Sequence, residues 1–233
     1  MIVTIHQPQY LPWLGYFDKA DRADTFILLD DVQFKKNEWQ NRNKICTSQG
    51  WQWLTVPVLH DFGQKINEVK INNKVDWRKS HLRAIELNYS RAPFYDQYIE
   101  VFQTAYQRSW EYLAQINVYF IERIIELLGV KTKIVLSSEY NASQNPTQRL
   151  IDLCKQFDAQ IYLSGKDGSK YMDFSEFEAS RIKIRVQDFK HPKYRQQWPA
   201  KEGDFISHLS VIDLLFNYGP ESLKIIRSTK ENI

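Results

Sequence analysis

The chain has 233 residues, 43% of them hydrophobic and 25% charged, enough to bury a core within one domain spanning residues 1–233, and no Gly/Ser-rich or Pro-rich linker divides it. Its 31 basic and 28 acidic residues are spread without a block of like charge, so the net charge of +3 argues against general nucleic-acid binding while allowing one or two local cations to hold a phosphorylated ligand. No apolar run approaches the roughly 20 residues of a membrane span, the start of the chain lacks the basic and apolar regions of a secretory signal, and the two cysteines are Cys46 and Cys154; a cytoplasmic location with reduced thiols is expected.

Residues 2–5 form a short apolar run ending at His6-Gln7-Pro8, and residues 25–29 form another ending at Asp30-Asp31. A helix over 14–23 between them predicts strand, loop, helix, strand. Polar groups then gather beyond both strand ends, where open parallel α/β sheets bind their ligands. Residues 44–47 and 51–56, separated by Ser48-Gln49-Gly50, read as a β-hairpin. Residues 76–89 and 95–128 are helix-rich, and Val118, Ile121, Ile124, Ile125 and Leu128 lie at helical spacing, as core residues do. A strand over 133–136, a helix over 147–157 and a strand over 160–163 repeat the alternation. Residues 182–186 alternate apolar and basic side chains, like a strand with one wet face, and residues 207–216 begin a closing helix, entered near Ser207 or Ser210 and interrupted around 217–220. The expected fold is α/β and Rossmann-like, a mostly parallel sheet with a β-hairpin insertion and a helix-rich middle segment at about 76–128.

Aromatic, amide, imidazole and carboxylate groups crowd the first 57 residues. They occur in His6-Gln7-Pro8-Gln9-Tyr10-Leu11-Pro12-Trp13-Leu14-Gly15-Tyr16-Phe17, in Leu29-Asp30-Asp31-Val32-Gln33-Phe34, in Trp39-Gln40-Asn41-Arg42-Asn43 and in Trp53-Leu54-Thr55-Val56-Pro57. Such a mixture suits a small-molecule pocket, where flat rings exclude water and a few polar groups orient the ligand. Farther on come Tyr162-Leu163-Ser164-Gly165 with Gly168 and Tyr171, His191-Pro192-Lys193-Tyr194-Arg195-Gln196, and a run from Leu209 to Gly219. Together these segments closely resemble the WbqC-like protein family of bacteria, over essentially the whole chain. The resemblance implies association with polysaccharide and O-antigen clusters, and transfer of glycine or another acyl group to an amino sugar.

Among individual residues, His6 is the leading candidate for proton transfer, since a neutral imidazole can take a proton from an attacking amine; its alternative is a structural histidine at the strand end. Asp30 and Asp31 are neighbours on an extended backbone, so their side chains diverge. One of them, with Asp31 preferred, would orient His6 or bind substrate while the other caps a turn. Two carboxylates make an incomplete metal signature, and no metal site is expected. Arg42 presents a fork for a carboxylate or phosphate and Trp39 a stacking surface, with Gln7, Gln33, Asn41 and Asn43 as amide contacts, although a loop fastened by its own amides is the competing reading. Tyr10 and Trp13 either line the first loop or enter the core, and Gly15 permits a close approach. The stretch from Ser164 to Tyr171, with Lys170, could receive an anion or form a simple turn. His191 and Tyr194 are a further imidazole and phenol, either in the site or anchoring a loop. Cys154 sits in an apolar helical pattern and reads as inert core.

These residues and the resemblance together predict an acyl- or aminoacyl-transferase, glycyl transfer included, acting on a nucleotide-linked amino sugar. Its activated donor would be of the acyl-coenzyme A or aminoacyl-tRNA kind. A noncatalytic protein that binds a sugar nucleotide or glycan is the alternative, and a nucleotide-dependent adenylating enzyme the third. The glycine of Trp13-Leu14-Gly15-Tyr16 echoes a nucleotidyltransferase loop that has lost both histidines.

Overall fold

The computed structural model describes residues 1–170, 172–198 and 205–228. Strands β1 (Ile2–His6), β2 (Thr25–Leu28), β7 (Lys133–Leu136), β8 (Ile161–Ser164) and β9 (Lys183–Val186) form one sheet in the order β7-β2-β1-β8-β9. Every pairing in it is parallel, with His6 opposite Leu28, Leu28 opposite Leu136 and Ser164 opposite Val186. All five carboxyl ends therefore lie along one edge. The chain builds outward from β1 in one direction, then returns to β1's other side with β8. This reversal is the switch point at which doubly wound sheets bind ligands.

A parallel sheet needs cover on both faces, and the alternation of side chains shows how it is obtained. Val3, Ile5, Ile27, Val135 and Tyr162 pack with α5 (Pro146–Lys155) and α6 (Phe174–Ala179). On the opposite face, Phe26 and Leu28 pack with α1 (Leu14–Asp21) and a larger cluster that includes α2 (Trp77–Tyr89), α3 (Tyr95–Gln107), α4 (Leu113–Leu128), α7 (Ile212–Tyr218) and α8 (Ser222–Arg227). The hairpin of β3 (Arg42–Thr47) and β4 (Gly50–Thr55) joins this second cluster through Ile45 and Leu54. The short ribbon of β5 (Val58–Leu59) and β6 (Lys70–Ile71) completes the insertion.

The expected α/β, Rossmann-like architecture is thus present. The hairpin begins earlier than expected, so that Arg42 starts a strand instead of ending a loop. The closing helix begins at Ile212, nearer the Ser210 entry than the Ser207 one, because Ser210 bridges to Trp13 and its backbone N–H donates to the Lys44 carbonyl at 2.9 Å. That pairing holds the preceding residues extended.

Candidate functional site

Beyond β1, the chain turns through residues 7–13 before entering α1, and its polar neighbours hold this loop in place. Asn117 Nδ2 donates to the Pro8 carbonyl (3.3 Å), the Tyr10 amide donates to the Trp39 carbonyl (3.0 Å), and Asn43 Nδ2 donates to the Leu11 carbonyl (2.6 Å). Leu11 needs the restraint, because its φ is +44° and a side chain is disfavoured there. Gln40 Nε2 donates to Gln7 Oε1 at 2.7 Å, and Asn41 bonds the Val56 carbonyl and the Asn37 amide. Much of the second amide-rich motif thus fastens the first in place.

The restrained loop carries Gln9 and Trp13 to a cavity of about 410 Å³ at the switch point, also lined by His6, Tyr16, Lys19, Trp39, Gly165, Gln187 and His208. Trp13 lies over the first turn of α1, stacked on His208 with ring centroids 5.0 Å apart. A Cβ at Gly15 would stand 2.3 Å from the Trp13 ring, so glycine is required for this approach. Gln187, just past β9, donates to the Gly15 carbonyl (2.8 Å) and to Asp18 Oδ2 (2.7 Å). At the other wall, Gly168 has no room for a Cβ, which would meet Ser164 Oγ at 1.9 Å.

A helical side chain leans toward the amino end of its helix, which takes Lys19 back to the end of β1. Its ammonium donates to the Ile5 carbonyl at 3.2 Å, and no described carboxylate forms an ion pair with it. The residue is 3% exposed. Burial without a counter-charge disfavours the protonated form and brings its pKa down to about 7. His6, packed edge-on against Tyr16 at 4.9 Å, is held down to about 3, first by burial and then by the charge of Lys19. Its Nδ1 lies 3.3 Å from the Gln7 carbonyl, an arrangement that puts the proton on Nδ1 and leaves the lone pair on Nε2. At neutral pH His6 is an uncharged hydrogen-bonding group, whereas Lys19 is balanced between its two forms. One more polar atom is unspent, since Gln9 Oε1 is buried and makes no hydrogen bond.

His6 also lines a second cavity, of about 580 Å³, on the α5 side, together with Gln7, Leu29, Lys35, Gln144 and Arg149. The end of β1 is thus reached from both sides of the sheet.

Several expected contacts lie elsewhere. Asp30 accepts from Ser137 Oγ (3.0 Å), from the Ser138 amide (3.0 Å) and hydroxyl (2.8 Å), and from Asn67 (3.3 Å). Those bonds tie the end of β2 to that of β7. Asp31 accepts from Ser137 Oγ at 2.5 Å and stands 3.7 Å from Arg149, without a hydrogen bond to His6. Arg42 lies over the Trp53 ring at 4.2 Å and, like Asn41 and Asn43, lines neither cavity. Gln33 is exposed and bridges to Lys65. Tyr10 is fully buried, with its hydroxyl 2.8 Å from His81 and 2.6 Å from Tyr106.

In the later motifs, Ser164 is buried and donates to the Gly165 carbonyl at 3.0 Å. Lys170 is exposed and paired with Asp167. Tyr171 lies outside the described residues. His191 has both ring nitrogens engaged, Nε2 accepting from the His208 amide (3.2 Å) and Nδ1 bonded to the Pro192 carbonyl (2.9 Å). Tyr194 donates to the buried carboxylate of Asp213 at 2.9 Å. Cys46 and Cys154 are buried, and burial pushes both thiols up to about 12. Among the described residues no group of three or more His, Cys, Asp or Glu side chains could hold a metal ion, and no helix is long and apolar enough to cross a membrane.

Residues 7–225, from the glutamine beside His6 to the last helix, match the model of the WbqC-like protein family. The chain belongs to the WbqC-like protein family. An uncharacterized protein of Mycobacterium tuberculosis (strain ATCC 25618 / H37Rv), Rv1507c, is similar to it at 37% identity over 233 residues, covering 98% of this chain and 99% of its own length. No significant match to a solved structure was found.

The sequence reading of this WbqC-like chain missed Lys19, Gln9, Gln187 and Arg149. Lys19 had one available signal. It falls between Phe17 and Ala20 on the helix that follows the first strand, and such a helix packs against the sheet.

Proposed function

We propose that this WbqC-like protein is a transferase that places an acyl or aminoacyl group, glycyl among the candidates, on the amino group of a nucleotide-linked sugar for surface polysaccharide synthesis. The observation that carries the reading is the pairing of Lys19 and His6 at the switch point, in a cavity walled by Trp13 and Trp39. A proton carrier works best when its pKa is close to the ambient pH, and Lys19, at about 7, meets that condition better than His6 at about 3. The proton-transfer role first sought in His6 therefore passes to Lys19, and His6 Nε2 becomes an acceptor that orients the attacking amine. Gln9 Oε1 would accept from an amino or hydroxyl group of the sugar, and the indoles would cover its apolar face or the base.

In the reaction, the sugar nitrogen forms a bond to the donor carbonyl carbon and the bond from that carbon to sulfur or oxygen breaks. Neutral Lys19 takes the proton released from nitrogen and returns it to the leaving group. The test is mass spectrometry of a nucleotide-linked amino sugar incubated with acyl-coenzyme A, aminoacyl-tRNA, or an amino acid with ATP. An acylated sugar made by the wild type and lost in Lys19→Met is the expected result. Sugar-nucleotide binding with no transfer from any of these donors would replace this reading with the noncatalytic one, and consumption of ATP without sugar would favour the adenylating one.

A further inference from the structure

We propose that the cavity on the α5 side of β1 is a binding site for a carboxylate carried on a small apolar body, with Arg149 as its anchor. This inference concerns binding alone and stands apart from the transfer reaction. Arg149 sits in the first turns of α5 with its side chain 8% exposed. A guanidinium has five N–H donors. Nε donates to the Ser143 carbonyl at 2.9 Å and one Nη donates to Gln144 Oε1 at 2.8 Å. Asp31, at 3.7 Å, is beyond hydrogen-bond distance, and its carboxylate accepts from Ser137 instead. Arg149 therefore retains donors where it borders the cavity.

The remaining lining determines the kind of anion. Lys35 adds a second cation, and among the described residues no carboxylate lines the cavity; Asp31, in ion-pair range of Arg149 at 3.7 Å, offsets one of the two charges and leaves an excess of one cation. Its other walls include Ile5, Leu29, Val32 and Leu150. Apolar walls with one guanidinium suit a carboxylate, which two N–H groups satisfy. A phosphate would draw on helix N–H groups as well, but the start of α5 has few to give. Pro146 has no N–H, Gln148 donates to Asn145 Oδ1 at 3.0 Å, and Arg149 donates to the Asn145 carbonyl at 2.8 Å. The volume of about 580 Å³ is ample for a short branched acid.

Calorimetry on the wild-type protein with 3-methylbutanoate, the neutral 3-methylbutan-1-ol and inorganic phosphate tests this directly. Carboxylate binding at least about 10-fold tighter than that of the alcohol or phosphate is expected, since only the carboxylate combines the charge with the apolar body. Equal binding of acid and alcohol, tighter binding of phosphate, or no binding of the acid would overturn the proposal. Arg149→Lys should weaken the acid about 10-fold by losing the paired geometry. Because Arg149 also holds the Ser143 carbonyl and the Gln144 side chain, Leu29→Trp, which fills the cavity and leaves the guanidinium intact, serves as the second variant. A Leu29→Trp protein that melts as the wild type does and still binds the acid unchanged would place the ligand elsewhere.

Discussion

The carboxyl edge of the sheet and the buried region beneath the hairpin contain the same kinds of polar residue in different circumstances, most of them bonded beneath the hairpin, where Arg42 Nε and Asn117 Oδ1 are exceptions. Beneath the hairpin, His81 meets Tyr10, Asn43 bonds the Leu11 carbonyl, and Asp213 receives Tyr89 at 3.0 Å, Tyr194 at 2.9 Å and Gln196 at 3.0 Å. At the edge, Lys19 has one carbonyl for its ammonium, Gln9 Oε1 has no partner, and His6 keeps Nε2 uncommitted. Buried polar groups are normally satisfied. The difference teaches that a histidine or asparagine in a motif says little by its type, and much by what it has left to bond.

The sharpest way to break this contrast is to remove the charge at the edge. Lys19→Met should lower transfer on the order of 10²-fold or more, while raising stability by several kcal/mol, roughly, at pH 6, where the wild type buries an ammonium. Because the folded pKa is about 7 and the ordinary value 10.5, the variant's advantage is full below pH 7 and shrinks as pH rises toward 10.5. Melting curves at several pH values check it, and a variant less stable than the wild type at pH 6 would refute the buried, uncompensated charge. In the wild type, transfer should climb as pH passes through about 7 and Lys19 loses its proton; a rate flat from pH 6 to 8 with chemistry limiting would remove Lys19 as the proton carrier.

His6→Gln should reduce transfer on the order of 10²-fold through misorientation of the amine, with sugar-nucleotide binding and melting temperature little changed. Undiminished turnover would rule out an essential role. On the satisfied side, Asn43→Leu should cost about 1–3 kcal/mol by leaving the Leu11 carbonyl unpaired, measurable by urea unfolding; a loss below about 0.5 kcal/mol would mean the loop is held by its other bonds. The smallest effect belongs to Arg42→Lys. Lysine retains a cation over Trp53, so ligand affinity should stay within about twofold and stability should fall by less than about 1 kcal/mol. A tenfold loss of affinity by calorimetry would return Arg42 to the site.

The parallel framework was legible because runs such as residues 26–29 and 134–136 are apolar, short and punctuated by polar residues, the pattern of strands in a covered parallel sheet. His6 was legible for a related reason, as the first polar residue after such a run. The fate of Asp30, Asn41 and Asn43 was not, because whether an amide or carboxylate is spent depends on Ser137, Val56 and Leu11, partners that local spacing does not reveal. Arg149 was hidden for the opposite reason. On a helix it reads as a solvated cation, and only the crossover to β8 brings it to the strand ends.

Residues 7–13 are held by Asn117 from α4 and by Asn43 and the Trp39 carbonyl from the segment that enters β3, three bonds from two separate parts of the chain. A segment fastened in this way has few partial motions open to it, since releasing one bond leaves the others in place. Amide exchange at Tyr10 should therefore follow the opening of the hairpin and not the local fraying usual for a surface turn. Under the proposed function, ligand entry then depends on the cavity's mouth, and the backbone fixed at Leu11 keeps one shape with or without ligand, sparing an arriving ligand the entropy of ordering its own binding loop.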